Sequence, residues 1–325
     1  MKEIVVVAEK AFVFNGKLIE INNKEITVCT EYMGESLDIY TRDVLRDIFF
    51  QYYQGQNIVI HSGDGEPLRD LGIVDFVSTL CAEFNIPKSS VKFKTHDDAT
   101  YPGFNKELKK LEIFWAAKEH TNLDVSLKPD AKFLGIAVGR ITPPRARTMF
   151  RLDKEFPNNT FIICQNKPPF DDRPLSRVKH LYTEESDWFQ KYQFEKDLSQ
   201  SFVAWQSSCQ NYHNIWGNYK LEVVCETHAN SEYWFTEKTA RCLITGKPFV
   251  LLSGPGTLAK LRSMGFQTFG TIIDESYDQE KSWPHRLDKM LTSLKQLHSR
   301  SDLDDALRQL YDIGKFNQRH YLKNV

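Results

Sequence analysis

Four residues, Thr236-Glu237-Lys238-Thr239, bring hydroxyls, a carboxylate and a cation together at what reads as the start of a helix. They follow a strand that ends at Glu226-Thr227. A helix start offers unpaired amides and the positive end of the peptide dipole, which suits a diphosphate. Lys238 adds a full charge for a phosphate oxygen. Glu237 can accept hydrogen bonds from ribose hydroxyls, and Glu226 at the preceding strand end is counted among the donor-binding residues. On spacing alone a capped surface helix with an exposed Glu–Lys pair fits the same residues. Arg140 stands just past the strand Phe133–Val138, with Arg145 and Arg147 behind it. A guanidinium is permanently charged and binds phosphate in a bidentate fashion. Arg145 and Arg147 fit a solvated helix face equally well. The turn Ser253-Gly254-Pro255-Gly256-Thr257 lets backbone approach a base or ribose at Gly254 and Gly256, or is simply a tight turn. It is neither a P-loop nor a GxGxxG fingerprint. Asp274 and Glu275 are placed either to meet sugar hydroxyls or to cap the last helices.

The front half of the chain supplies candidates for a general base. One cluster is His61 with Asp64 and Glu66; the other is His96 with Asp97 and Asp98. Each follows a short apolar run and would leave a parallel sheet at its ligand-binding edge. Ordinary βα turns hold the same residues, since Asp and Gly favour them. Asp64 ranks first because Gly63 and Gly65 leave space around it. The basic loop Asn166–His180, with Phe170 among its cations, is suited to the phosphates of a polymeric acceptor, though Asp171 and Asp172 offset part of its charge and a solvated loop fits as well.

These residues need elements to carry them. Strands are expected at Ile4–Val7, Leu18–Val28 (broken at Asn22-Asn23), Asn57–His61 and Val91–Thr95. Helices are expected over Ser36–Gln51 and from Pro67 to Phe84. A second alternation starts at Lys132. It has strands at Phe133–Val138, Thr160–Cys164, Leu221–Cys225 and Phe249–Leu252. Its helices open at Pro143-Pro144, run over Ser186–Trp205, open at Thr236, and follow Gly256. Gly246 and Gly265 stop two of them. Terminal helices are expected at Arg286–Leu297 and Leu303–Tyr311. The pattern implies an α/β chain of two Rossmann-like domains facing across a cleft. Residues 1–125 form an acceptor-side domain, 126–285 a donor domain, and 286–325 helices packing back on both.

Composition narrows the classes. The chain has 325 residues, 41% of them hydrophobic and 13% aromatic, and a formal net charge of -1. That balance gives no global pull toward nucleic acid. Six scattered cysteines without a CxxC pair favour reduced thiols and a cytoplasmic setting. No apolar run reaches membrane-spanning length, and the N-terminus is too short and too charged for a secretory signal, so no membrane partner is expected.

Taken in order, Val223–Thr227, Phe235–Lys238, Lys247–Phe249, Gly254–Gly256, Gly265–Phe269 and Asp274–Tyr277 resemble the donor half of α1,3-fucosyltransferase-like enzymes. They are more similar still to phage, giant-virus and bacterial glycosyltransferase-like proteins that share that half. The match spans about Ala131 to Arg286. The resemblance implies a GT-B fold and a metal-independent, inverting transfer of sugar from a UDP- or GDP-linked donor to a hydroxyl. The nucleotide-sugar is then a substrate, with no permanently bound cofactor. It implies donor binding by Arg140 and the Glu237–Lys238 pair, and, for a viral chain, the host cytosol. The acceptor is expected to be a hydroxymethylated base of viral DNA, with a viral or bacterial surface glycan as the alternative. Two other readings stay open: a metal-dependent GT-A enzyme using Asp64-Gly65-Glu66, and a non-catalytic nucleotide- or glycan-binding protein.

Overall fold

Strand and helix alternate along the chain, and the alternation divides between two compact units, Met1–Glu112 and Ile113–Val325. The computed structural model describes residues 3–6, 9–14, 17–21, 25–30, 39–52, 55, 57–62, 68–69, 72–95, 100–108, 126–138, 142–164, 187–188, 215–226, 229 and 235–324.

The first unit carries a seven-stranded sheet in sequence order. β1 (Glu3–Val6), β2 (Glu9–Phe14), β3 (Lys17–Ile21) and β4 (Glu25–Thr30) form an antiparallel ribbon. From β4 onward the pairing is parallel, through β5 (Asn57–Ser62), β6 (Val91–Thr95) and the short β7 (Asn105–Leu108). The purely alternating pattern expected of this half therefore holds only from β4. The ribbon hid its second strand because an antiparallel strand need not be apolar on both faces, and β2 begins with Glu9-Lys10. β7 likewise falls where an irregular crossover was expected.

Helices α1 (Ile39–Tyr52) and α2 (Ile73–Glu83) pack on each other. Leu45, Ile48 and Phe49 of α1 join Val77 and Leu80 of α2, Ile58 and Ile60 of β5, and Phe93 of β6 in one core. The α2 helix does not start at Pro67. It starts after Gly72, whose φ of 74° belongs to the left-handed region and cannot sit inside a helix.

In the second unit four parallel strands run in the order β11-β10-β8-β9. They are β8 (Lys132–Val138), β9 (Thr160–Cys164), β10 (Tyr219–Cys225) and β11 (Phe249–Leu252). Most residues of β8, β10 and β11 are buried in succession, the pattern of strands covered on both faces. Gly135 in β8 has a local reason. A Cβ there would stand 2.2 Å from the Tyr219 ring on the neighbouring strand.

Five helices surround this sheet among the described residues: α3 (Pro143–Glu155), α4 (Glu237–Thr245), α5 (Thr257–Ser263), α6 (Trp283–His298) and α7 (Leu303–Asn324). α7 packs on α4, and α6 packs on β11 and α3, so both terminal helices belong to this unit. α7 continues well past Tyr311, where the apolar periodicity ends. No described helix is long and apolar enough to cross a membrane.

Candidate functional site

The strand order sets where a ligand can enter the second unit. β9 lies on one side of β8, whereas β10 and β11 lie on the other. The direction of chain travel across the sheet reverses between β8 and β10. At such a reversal the connections leave on diverging paths and a crevice opens outside the carboxyl ends of the strands. The residues that follow β8 and end β10 are therefore the ones to inspect.

After β8 comes Thr142, the N-cap of α3, then Pro143, Pro144 and Arg145. The prolines favour a helix start but have no N–H. The Thr142 hydroxyl makes no capping bond. It is 3% exposed and has no hydrogen-bond partner among the described residues. Arg145 is 1% exposed, and its Nε donates to the carbonyl of Cys225 at the end of β10, 3.0 Å away. This corrects the solvated helix face that the spacing of Arg145 also allowed. The guanidinium turns inward and spans the reversal point. Arg147 is half-buried.

At the end of β10, Glu226 is fully buried. Its Oε1 accepts from the amide of Thr236 at 2.9 Å and from Thr239 Oγ1 at 2.7 Å. Its Oε2 accepts from Thr236 Oγ1 and stands 3.8 Å from Lys238 Nζ. Thr236 caps α4 through its hydroxyl, which accepts from the Lys238 amide at 3.3 Å. The Lys238 ammonium, 9% exposed, also donates to that hydroxyl at 3.0 Å. Gly246, at φ 66°, ends the helix as the sequence implies.

Arg145 and Lys238 thus reach one place from two neighbouring strand ends. The Cys225 thiol registers both. Burial pushes it up to about 11, while the charges of Arg145 and Lys238 each pull it down. Thr148 Oγ1 lies 3.9 Å from the same sulfur. A helix start frames each of these two buried cations, and among the described residues Lys238 faces the Glu226 carboxylate at 3.8 Å. Cations in a first helical turn oppose the peptide dipole. That signal was readable in Thr142-Pro143-Pro144-Arg145. Thr142 and Cys225 themselves carried no flag, because nothing local marks a threonine or cysteine as lying at a strand-order reversal.

Gly254, Gly256, Asp274 and Glu275 are engaged by hydrogen bonds close to their own loops. The glycine turn is closed by the protein's own acid. The amide of Gly256 donates to the Asp278 carbonyl at 2.7 Å, and the Asp278 carboxylate accepts from Leu258 N at 3.0 Å and Ala259 N at 3.4 Å. Gly254 accepts from Thr257 Oγ1 at 2.6 Å. Glu275 binds its own loop, accepting from Thr268 Oγ1 and Phe269 N at 2.7 Å and from Arg262 at 3.0 Å, and burial raises its pKa. Asp274 accepts from the amide of Ser276 at 2.9 Å.

Arg286 gathers this edge. Fully buried, it donates to the carbonyls of Ala229, Ser253, Glu280 and Lys281. Asp64, Glu66, His96, Asp97, Asp98, Arg140, the 166–180 loop and the Glu237 side chain lie outside the described residues. The strands that precede the two acidic clusters, β5 and β6, are parallel neighbours and so end at one sheet edge.

No protein-family model matches the chain, and no curated protein matches it. Among solved structures it is similar to an alpha,alpha-trehalose 6-phosphate synthase from Burkholderia multivorans, at 12% identity and a TM-score of 0.38, over 87% of this chain and 69% of that one. A likeness at that level carries no functional argument.

Proposed function

We propose that the chain is a nucleotide-sugar-dependent glycosyltransferase of GT-B type, with the donor diphosphate held where Arg145 and Lys238 converge. One observation carries the reading: buried Arg145 and Lys238 reach the adjacent residues Cys225 and Glu226 at the strand-order reversal of a parallel sheet, where the buried Thr142 hydroxyl, with no partner among the described residues, opens the neighbouring helix. The resemblance of the 223–277 segment to donor domains of fucosyltransferase-like enzymes supports it from sequence.

The chemistry follows from the charges. As the bond between the sugar carbon and the diphosphate oxygen breaks, its electron pair leaves with the nucleoside diphosphate. Fixed cations stabilise the charge that develops there more than they stabilise the intact donor. The acceptor hydroxyl attacks the same carbon and gives its proton to a base, for which Asp64 is the first candidate, ahead of Glu66, His96, Asp97 and Asp98. The transfer is inverting and needs no metal. The acceptor is a hydroxyl, assigned to a hydroxymethylated DNA base in preference to a surface glycan.

A thermal-shift screen with UDP, GDP, ADP and CMP tests the donor site directly, since a ligand bound only by the folded state raises the melting temperature. One nucleoside diphosphate is expected to stabilise the wild type and to lose that effect in Arg145→Ala. Stabilisation by none of them removes the assignment. Turnover that resists chelator and disappears in Asp64→Asn, with donor binding intact, is the expected catalytic signature. Binding without turnover on any hydroxyl acceptor returns the chain to a non-catalytic nucleotide-binding role.

A further inference from the structure

Glu226 is the best-satisfied acid at the site, and every described partner it has belongs to the first turn of α4 or its cap. One oxygen holds the Thr236 amide and the Thr239 hydroxyl; the other holds the Thr236 hydroxyl and faces Lys238. With no exposed surface, the carboxylate has no face to offer a ligand. Its oxygens occupy the place at this helix start that an anion would take, and the positive end of the α4 dipole stabilises them. The consequence falls on Lys238. Thr236 Oγ1, which receives the Lys238 ammonium at 3.0 Å, is itself donating to Glu226, so its lone pairs are aimed by that bond.

We propose that Glu226 is a positioning residue: it leaves the ligand to the cations and fixes Thr236, and through Thr236 the aim of the Lys238 ammonium. This rests on the donor-site reading for its functional meaning, but the geometric claim stands apart from it.

Two measurements separate the two. The first needs no ligand. Lys238 acylation by acetic anhydride, followed by mass spectrometry, reports how firmly its amine is held. Glu226→Gln keeps shape and removes charge. It is expected to raise Lys238 labelling several-fold and to leave the exposed Lys295 unchanged. Thr239→Val, which deletes one donor to Glu226 and leaves its charge, is expected to do the same to a smaller degree and serves if Glu226→Gln does not fold. Unchanged Lys238 labelling in a folded variant overturns the proposal.

The second is a double-mutant cycle on affinity for the stabilising nucleoside diphosphate. Glu226→Gln alone is expected to weaken binding about tenfold, the scale of one charge-assisted hydrogen bond. In a Lys238→Ala background it is expected to change affinity hardly at all. Equal loss in both backgrounds means a general structural role and overturns the proposal. Tighter binding in the single variant means that the acid acts only as a counter-charge, which overturns it as well. If the wild type binds no nucleoside diphosphate, the donor-site reading fails and the labelling result alone decides what Glu226 does.

Discussion

Two rungs of opposite charge connect β10 with α4, and they differ in how tightly they close. At the lower rung Glu222 meets Arg241 directly and accepts from Tyr219 Oη at 2.9 Å. At the upper rung Glu226 stands 3.8 Å from Lys238, with Thr236 between them. Glu222 and Glu226 are four apart along a strand and its end, and Lys238 and Arg241 three apart on a helix, so each pair shares a face. The same pairing serves two ends. A guanidinium in direct contact closes one rung as structure. An ammonium with a hydroxyl interposed leaves the charges of the other rung further apart. The closed rung sits beside the fully buried Tyr219. The open one lies at the carboxyl end of the strands, where ligands bind in such sheets.

Breaking the closed rung has the largest expected effect. Arg241→Met leaves Glu222 buried without its cation and is expected to cost about 3–5 kcal/mol of stability in urea unfolding. Lys238→Met is expected to cost about 1–2 kcal/mol, since Glu226 keeps its three other donors. Equal losses would erase the distinction between the rungs.

Below the closed rung, Lys247 sharpens the same contrast through pH. Its ammonium donates to the carbonyls of Trp216 and Tyr219 and to Tyr311 Oη, whose own proton goes to the Lys220 carbonyl. Three acceptors match three ammonium protons. Burial nonetheless pulls its pKa down to about 7, against the opposing pull of the Glu222 charge. Between that value and the unfolded value of 10.5 the unfolded chain binds a proton that the folded chain does not. Stability therefore rises with pH across this window, and below about pH 7 this lysine adds no slope. From pH 7 to pH 9 the gain is expected to be about 2–3 kcal/mol, and Lys247→Met is expected to abolish it. A wild type with no such slope would show that the three acceptors hold the proton against burial.

At the open rung the measurement changes from stability to affinity. Lys238→Ala is expected to weaken nucleoside-diphosphate binding by about 1.5–3 kcal/mol in calorimetry, as loss of a charged hydrogen bond does. Arg241→Met, once folded, is expected to leave that affinity alone. A loss of affinity at Arg241 comparable with that at Lys238 would mean that the two rungs act as one network.

The sequence made the open rung easier to find than its surroundings. Thr236, Lys238 and Gly246 announce a capped helix by type and spacing, and the structure places them so. Arg145 was legible as a cation but not as a buried one, because its acceptor, the Cys225 carbonyl, lies eighty positions away. The glycine turn at 253–257 and the start of α4 look alike in sequence, each a helix opening that wants an anion. Which anion arrives is a tertiary matter: Asp278 closes the first and Glu226 lines the second.

The far end of α7 was hidden for a related reason. Gly314 interrupts the apolar pattern, yet a Cβ there would stand 2.0 Å from the Gly246 carbonyl oxygen, so the glycine lets α7 lie against the end of α4. Asn317 looks like surface but is buried, exchanging two 2.8 Å bonds with the backbone of Gln267.

The smallest expected effect tests the crevice most directly. The Thr142 hydroxyl is buried with no partner among the described residues, and a group left so costs stability, on the order of 1–3 kcal/mol. Valine keeps the shape and removes the unpaired oxygen, and no cap bond is lost because Thr142 makes none. Thr142→Val is therefore expected to stabilise the free protein by about 1 kcal/mol in urea. If the hydroxyl is kept for a phosphate oxygen, the same change weakens nucleoside-diphosphate binding, so stability and affinity move in opposite directions. A variant that gains stability and binds as before makes the hydroxyl a packing accident, and the donor-site reading then stands on Arg145 and Lys238 alone.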